Sequence, residues 1–258
     1  MVVLAVGDIC AEGGVSFLEK KLQTLRKYYG VDMVVANGEN SAPGGMGVTA
    51  ESIRRIFTAG VDVITTGNHA FDMQGYENLF ENTRALVRPG NLGRGVPGEG
   101  TYLFDMGRFR VLVVSLLGSA FVRMSSTNFY DAMDDILKQA DTPVILVDFH
   151  AEYTSEKIAF ARNFDGKVSL VFGTHTHVMT ADERIFPKGT AYITDLGMTG
   201  PVDSVIGVDI KRAIQKQRFA VPVRITPASG PSSLSGVIAE IDHKTGKALT
   251  IERITVSE

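Results

Sequence analysis

Eight residues in this chain are of types that could do chemistry together. They are Asp8, Glu39, Asn40, Asn68, His69, His150, His175 and His177. Each stands just after a short apolar run. Two carboxylates, two carboxamides and four imidazoles make a mixed oxygen and nitrogen donor set. Such a set suits iron, manganese or zinc rather than calcium, which prefers oxygen alone. Eight donors exceed what one ion with open positions needs, and they suit two ions bridged by a carboxylate. Two divalent cations against two carboxylates leave about two net positive charges by formal counting, which favours a phosphate-bearing substrate. His175 and His177 lie two apart, so in an extended segment both side chains face the same way.

Taken singly, each residue has an ordinary explanation. An Asp after a strand caps a helix or starts a turn, and Gly-Asn pairs make turns. A lone His near a strand end is a hydrogen-bonded structural residue. The pattern across five runs is what points to a metal site.

The elements that must position these groups follow from the apolar periodicity. Residues 2–6, 33–36, 61–65, 144–148 and 168–172 read as buried strands. Each is followed by one or two of the candidate ligands. In open α/β sheets, ligands bind beyond the carboxyl ends of the strands. If these strands are parallel and adjacent, groups spread from position 8 to position 177 converge. Between them, 17–29 reads as a helix ended by Gly30, and Thr49 caps another that closes at Gly60. Residues 129–140 form a helix, and Thr154 caps one that runs to about 164. Hairpins are expected at 102–104 with 109–116, at 185–186 with 191–194, and at 234–241 with 248–256. Residues 86–100 read as a loop, whose glycines do not run from a strand into a helix, so a dinucleotide fingerprint is unsupported. This alternation predicts an α/β layered fold with a mixed sheet. No linker interrupts it, so residues 1–258 read as a single domain.

Composition narrows the function. Of 258 residues, 44% are hydrophobic and 21% charged, which excludes general disorder. A formal charge of −3 excludes a broad, charge-driven nucleic-acid footprint. The one cysteine, Cys10, cannot form an intramolecular disulfide, which allows a cytoplasmic setting. It reads as a small buried hydrophobe. The start, MVVLAVGDIC, has no basic segment and meets Asp8 early, so it reads as a strand and not a signal peptide. The longest nearly apolar stretch, 111–122, is too short to span a bilayer, so no membrane partner is expected. His243 falls in an exposed turn. Met46 and the 44–47 glycine loop read equally as a mobile wall of the site and as a plain loop. The tail beyond Gly207 adds hairpin and helix, which suits either a homo-oligomer contact or packing on its own domain.

At these residues the sequence resembles the calcineurin-like metallophosphoesterase superfamily. That pattern runs Asp-x-His, Gly-Asp, Gly-Asn-His-Asp/Glu, a lone His, and Gly-His-x-His. The matching segments are Gly7-Asp8-Ile9-Cys10, Gly38-Glu39-Asn40, Gly67-Asn68-His69-Ala70, His150, and Gly173-Thr174-His175-Thr176-His177. Cys10 replaces the first His, Glu39 replaces the bridging Asp, and Ala70 stands where an acid is usual. Asn40 is placed to supply the missing ligand. These departures together are similar to a narrower bacterial group, the YmdB-like family of phosphodiesterases, with likeness from Val3 to Gly207. The resemblance implies a four-layer α/β/β/α sandwich of the metallophosphoesterase type. It also implies 2′,3′-cyclic-nucleotide 2′-phosphodiesterase activity with two iron or manganese ions, zinc sharing the same ligands, in the cytoplasm. One ion would be held by Asp8, Glu39, Asn40 and His177, and the other by Glu39, Asn68, His150 and His175. Glu39 would bridge, and His69 would act as the general acid. The same residues would also serve a phosphatase of monoesters or phosphoproteins. A regulatory scaffold for RNA or a partner protein is a further reading, with the metals structural. An amide hydrolase fits the asparagine-rich set poorly.

Overall fold

Strand side chains alternate between faces, and a run that is apolar on both faces must be covered on both. The first strand shows what this produces. Leu4 and Val6 pack with helical residues, whereas Val3 and Ala5 pack against a second sheet.

The computed structural model describes residues 1–119 and 127–258. The end of the 111–122 apolar stretch therefore lies outside the described residues. In chain order the elements are β1 (Val2–Val6), β2 (Asp8–Ile9), α1 (Ala11–Tyr29), β3 (Met33–Asn37), α2 (Ala50–Ala59), β4 (Val63–Thr65), α3 (Tyr76–Asn82) and β5 (Leu86–Val87). Then come β6 (Thr101–Asp105), β7 (Arg110–Leu117), α4 (Phe129–Gln139), β8 (Ile145–His150), α5 (Thr154–Asn163), β9 (Leu170–Thr174), β10 (Arg184–Ile185) and β11 (Ala191–Ile193). The last are β12 (Met198–Pro201), α6 (Ile210–Phe219), β13 (Ser232–Ile241) and β14 (Ala248–Ser257).

Two sheets result. The first has the order β2-β12-β13-β1-β3-β4-β5, with β14 also paired to β13. The second has the order β10-β11-β9-β8-β7-β6. In the first, β1, β3 and β4 run parallel, and in the second β7, β8 and β9 do. Three apolar clusters separate the layers. Leu18 and Leu22 of α1 and Ile53 and Ile56 of α2 cover Val34 and Ile64 of the first sheet. Val35 and Val63 meet Leu146, Leu170 and Phe172 between the sheets. Met133 of α4 and Phe160 and Phe164 of the α5 region cover Val114, Val147 and Phe149 of the second sheet. The architecture is a four-layer α/β/β/α sandwich.

Several expectations need correction. The five strands that carry the candidate ligands do not share one sheet. β1, β3 and β4 lie in the first, and β8 and β9 in the second. The groups meet because the carboxyl ends of both stacked sheets face the same edge. The strands also extend beyond the apolar runs, so His150 is the last residue of β8 rather than following it. Helix α1 starts at Ala11, not 17, because packing overrides the low helix propensity of Gly13 and Gly14. A Cβ at Gly14 would sit 2.2 Å from the Thr199 carbonyl oxygen. Thr154 is the first residue of α5, and Tyr153 holds the N-cap position without a side-chain cap bond. Thr49 does cap α2, accepting from the Ser52 N–H in a capping box. The three expected hairpins form, as β6/β7, β10/β11 and β13/β14. Helix α3 and strand β5 were not anticipated. Among the described residues no helix is long and apolar enough to cross a membrane.

Candidate functional site

His150 is fully buried at the end of β8. Thr174, the last residue of β9, donates its hydroxyl proton to Asp148 Oδ1 (2.6 Å). Its oxygen therefore accepts from His150 Nδ1–H (2.8 Å). That assigns the other ring nitrogen, Nε2, to the site interior. There it meets Asn68 Oδ1 (2.8 Å), Glu39 Oε1 (3.1 Å) and His175 Nδ1 (3.1 Å). Gly67 permits this approach, since a Cβ there would lie 2.3 Å from the His150 ring. His175 Nε2 faces Glu152 Oε2 at 3.0 Å, which leaves Nδ1 for the interior. Four acceptor-type atoms thus aim at one another inside a buried pocket, and a positive charge between them is what reconciles them. Glu39, His150 and His175 alone offer three donor atoms within 4.8 Å of one another, a spacing one metal ion spans.

The electrostatics agree. Burial alone would raise the Glu39 carboxyl, but the His150 imidazole beside it outweighs that and holds Glu39 at about 2. Burial would likewise lower His150, but Glu39 and then Asp8 lift it to about 9. Burial and the neighbouring His150 push His175 down to about 4. A pocket that pulls a proton onto buried imidazole pulls a metal cation by the same field.

A second group lies beside the first. Asp8, in the short strand β2, is fully buried, and burial pushes its carboxyl up to about 6 against the pull of His177 and His150. Its Oδ2 accepts from the His175 N–H (3.2 Å), but Oδ1 has no hydrogen-bond partner. His177 Nε2 stands 3.8 Å from that orphaned oxygen and 3.1 Å from Asn40 Nδ2. His177 Nδ1–H donates to the Ile206 carbonyl (2.9 Å). A buried carboxylate oxygen without a donor is a cation ligand in waiting. Glu39 sits between the two groups, with Oε1 accepting from Asn40 Nδ2 (3.4 Å) and Oε2 from the His69 N–H (3.2 Å). The donor chemistry and the orphaned oxygen fit two ions sharing one carboxylate.

The extended His-x-His segment expected from the sequence is not what faces the two imidazoles inward. His175 has φ 101° and His177 φ 64°, both in the left-handed region. Such backbone costs about 1–3 kcal/mol per residue and persists only where its surroundings enforce it. Lys157 enforces it here, donating to the Thr174 carbonyl (2.9 Å) and to Asp195 Oδ2 (2.7 Å). The same Asp195 oxygen accepts from the Thr176 N–H (3.2 Å).

His69 enters differently, with its backbone on Glu39 and its ring Nδ1 on Asp72 Oδ2 (2.6 Å). It lines a cavity of about 690 Å³. The other side of that cavity carries Met46, Ile206, Val208, Lys216, Gln217 and Ile225. Gly44 and Gly45 belong to its wall too. Cys10 lines it as a buried thiol, which burial and then Asp8 lift to about 12, so it stays neutral. His243 stacks near Phe109 in an exposed turn, away from the site. All eight residues singled out by sequence are therefore in one contact network. The supporting residues Asn37, Thr65, Asp72, Asp148, Glu152, Lys157, Thr174 and Asp195 were not anticipated.

Comparison with known proteins adds a family. A family model described as YmdB-like protein matches residues 4–254. A Bacillus subtilis (strain 168) protein named 2′,3′-cyclic-nucleotide 2′-phosphodiesterase is 41% identical, covering 100% of this chain and 98% of its own. A solved structure from Mycoplasma pneumoniae, described as a novel phosphatase, superposes with a TM-score of 0.94 at 34% identity, covering 100% of this chain and 93% of that one. The calcineurin-like phosphoesterase YfkN from Bacillus subtilis shares the fold, with a TM-score of 0.61 at 11% identity, over 100% of this chain and 90% of that one.

Proposed function

Because the chain belongs to the YmdB-like family, we propose that it is a metal-dependent phosphodiesterase that opens 2′,3′-cyclic nucleotides at the 2′ oxygen. The observation that carries this is the meeting of His150 Nε2, Glu39 Oε1, Asn68 Oδ1 and His175 Nδ1, of which Glu39 and His175 line a substrate-sized cavity. Asp8, Glu39, Asn40 and His177 would hold one ion, and Glu39, Asn68, His150 and His175 would hold the other. Iron or manganese suits this set, and zinc can use the same ligands. When bound, the ions supply Lewis-acid polarisation of the phosphoryl group and a water acidified toward neutral pH.

The chain's own residues do the rest. Asp72 accepts from His69 Nδ1–H, which leaves Nε2 as the nitrogen that carries the exchangeable proton. As a water oxygen bonds to phosphorus, the P–O bond to the ribose breaks and His69 gives that proton to the departing oxygen. The buried donor side of the cavity binds the phosphate, and its apolar wall excludes water from the other face. Cys10, buried and unpaired, suits a reducing cytoplasm.

The first test is His69→Ala. It retains its metal and loses about 10²- to 10⁴-fold in rate, the range of general-acid catalysis. Undiminished turnover on a poor leaving group would remove His69 from this role. A kinetic panel tests the substrate class. Cyclic nucleotides are preferred over linear dinucleotides and phosphomonoesters, and a preference for monoesters would make the protein a phosphatase instead.

A further inference from the structure

Asp148 supplies no ligand to either proposed ion, yet it is fully buried and reaches both sheets. It lies on β8 in the second sheet. Its Oδ2 accepts from Asn37 Nδ2 (3.0 Å) and Thr65 Oγ1–H (2.5 Å), the last residues of β3 and β4 in the first sheet. Its Oδ1 accepts from Thr174 Oγ1–H (2.6 Å), the last residue of β9. Two arms lead on from there. Thr174 Oγ1 accepts from His150 Nδ1–H (2.8 Å), and Asn37 Oδ1 accepts from the Glu39 N–H (3.1 Å).

We infer that Asp148 is a positioning residue: through Thr174 and Asn37 it fixes His150 and Glu39, which stand on different sheets, in register for the ion they share. The inference rests on the two-ion reading given above. Its physical basis is direction. Apart from such polar links, the cluster between the sheets is aliphatic and aromatic, and its burial is non-directional. Hydrogen bonds do, and outer partners of this kind orient metal-binding imidazole and tune its affinity.

Polarity supplies a second reason that residue 148 is an acid. A carboxylate only accepts, so it commits the single Thr174 proton and leaves that hydroxyl able to accept from His150 Nδ1–H. Nε2 is thereby kept free to bind. A carboxamide of the same shape cannot serve both arms. With its NH₂ toward Thr174, the hydroxyl is released to donate into His150 Nδ1, and the ring proton moves to Nε2. With its NH₂ toward Asn37, two donors face each other, and Asn37 must turn its Oδ1 away from Glu39. Either orientation breaks one arm without opening a hole.

The experiment is Mn²⁺ titration of the full chain, with thermal melting alongside, for wild type, Asp148→Asn, Thr174→Val and Thr174→Ser. Wild type shows two sites. Asp148→Asn and Thr174→Val bind the ion of the His150 side about 10- to 100-fold more weakly, the usual size for loss of an outer partner. Thr174→Ser restores it, because the hydroxyl returns. The Thr174 pair decides the matter by itself if Asp148→Asn does not fold. Wild-type affinity at both sites in Asp148→Asn and Thr174→Val overturns the relay, and so does equal weakening of both sites by Thr174→Val with no rescue by Thr174→Ser. Both results leave the two-ion reading standing. A wild-type chain that takes up no ion defeats that reading and the relay with it.

Discussion

The two halves of the donor set are built to different standards. On the Glu39–His150–His175 side, each imidazole is fixed at its far nitrogen by a side chain, the Thr174 hydroxyl for one and the Glu152 carboxylate for the other. Both Glu39 oxygens have partners. On the Asp8–Asn40–His177 side, His177 is fixed by the main-chain carbonyl of Ile206, in the segment between β12 and α6, and Asp8 Oδ1 has no hydrogen-bond partner. The first half is therefore fixed by side chains, and the second in part by how a connecting segment docks its main chain. The second half also holds the unmet need. A buried acceptor left unsatisfied costs about 1–3 kcal/mol, more when charged, and a cation offsets that cost.

Glu39→Gln has the largest effect expected, because it removes the charge both halves share. Elemental analysis of the purified variant should find neither ion. Two ions per chain in that variant would refute a bridging role for Glu39. The next comparison sets His150→Ala against His177→Ala. Each loses the ion on its own side, but only the His150 variant strands the buried Thr174 and Glu39 groups. Its melting temperature in chelator falls by the equivalent of about 1–3 kcal/mol, whereas that of the His177 variant holds. Equal melting curves would erase the distinction between the halves. The smallest effect is that of Asp72→Asn. The Asp72 side chain is 45% exposed, so water can take its place beside His69. An exposed pair is worth up to about 1 kcal/mol, so kcat falls about fivefold or less. A loss as large as that of His69→Ala would give Asp72 more than an orienting role.

What was readable from sequence follows this same divide. The candidate ligands stand just beyond apolar runs, so strand ends and donor types singled them out. Thr49 announced α2 as its N-cap, and alternating apolar residues announced the hairpins. The supporting network was hidden because it lies inside strands. Thr65 and Asp148 are polar residues at the last position of an apolar run, Asn37 and Thr174 stand one and two positions past one, and their partners sit on other strands far along the chain. The polar ends of β3, β8 and β9 were the available signal, since a buried Asp or Thr there must find a donor or acceptor. Helix α6 was hard to place for the opposite reason. Ala213 is its only buried residue, so it has almost no apolar stripe to read. The left-handed turns at His175 and His177 had no local signal, because neither residue is glycine and the enforcing contacts come from Lys157 and Asp195.

The pairing of β1 has a consequence for the order of events during synthesis. This strand leaves the ribosome long before β13, to which one of its edges belongs, in a register from Val2 opposite Glu240 to Val6 opposite Gly236. The terminal amine itself bonds to the Ile241 carbonyl, 240 positions away. Asp8, in turn, lies opposite Met198 of β12. Until those later strands emerge, the nascent chain carries an open apolar edge, a template for aggregation. Pairings this distant in sequence also form slowly. The Asp8 side of the site is thus completed only once β12 has emerged and docked.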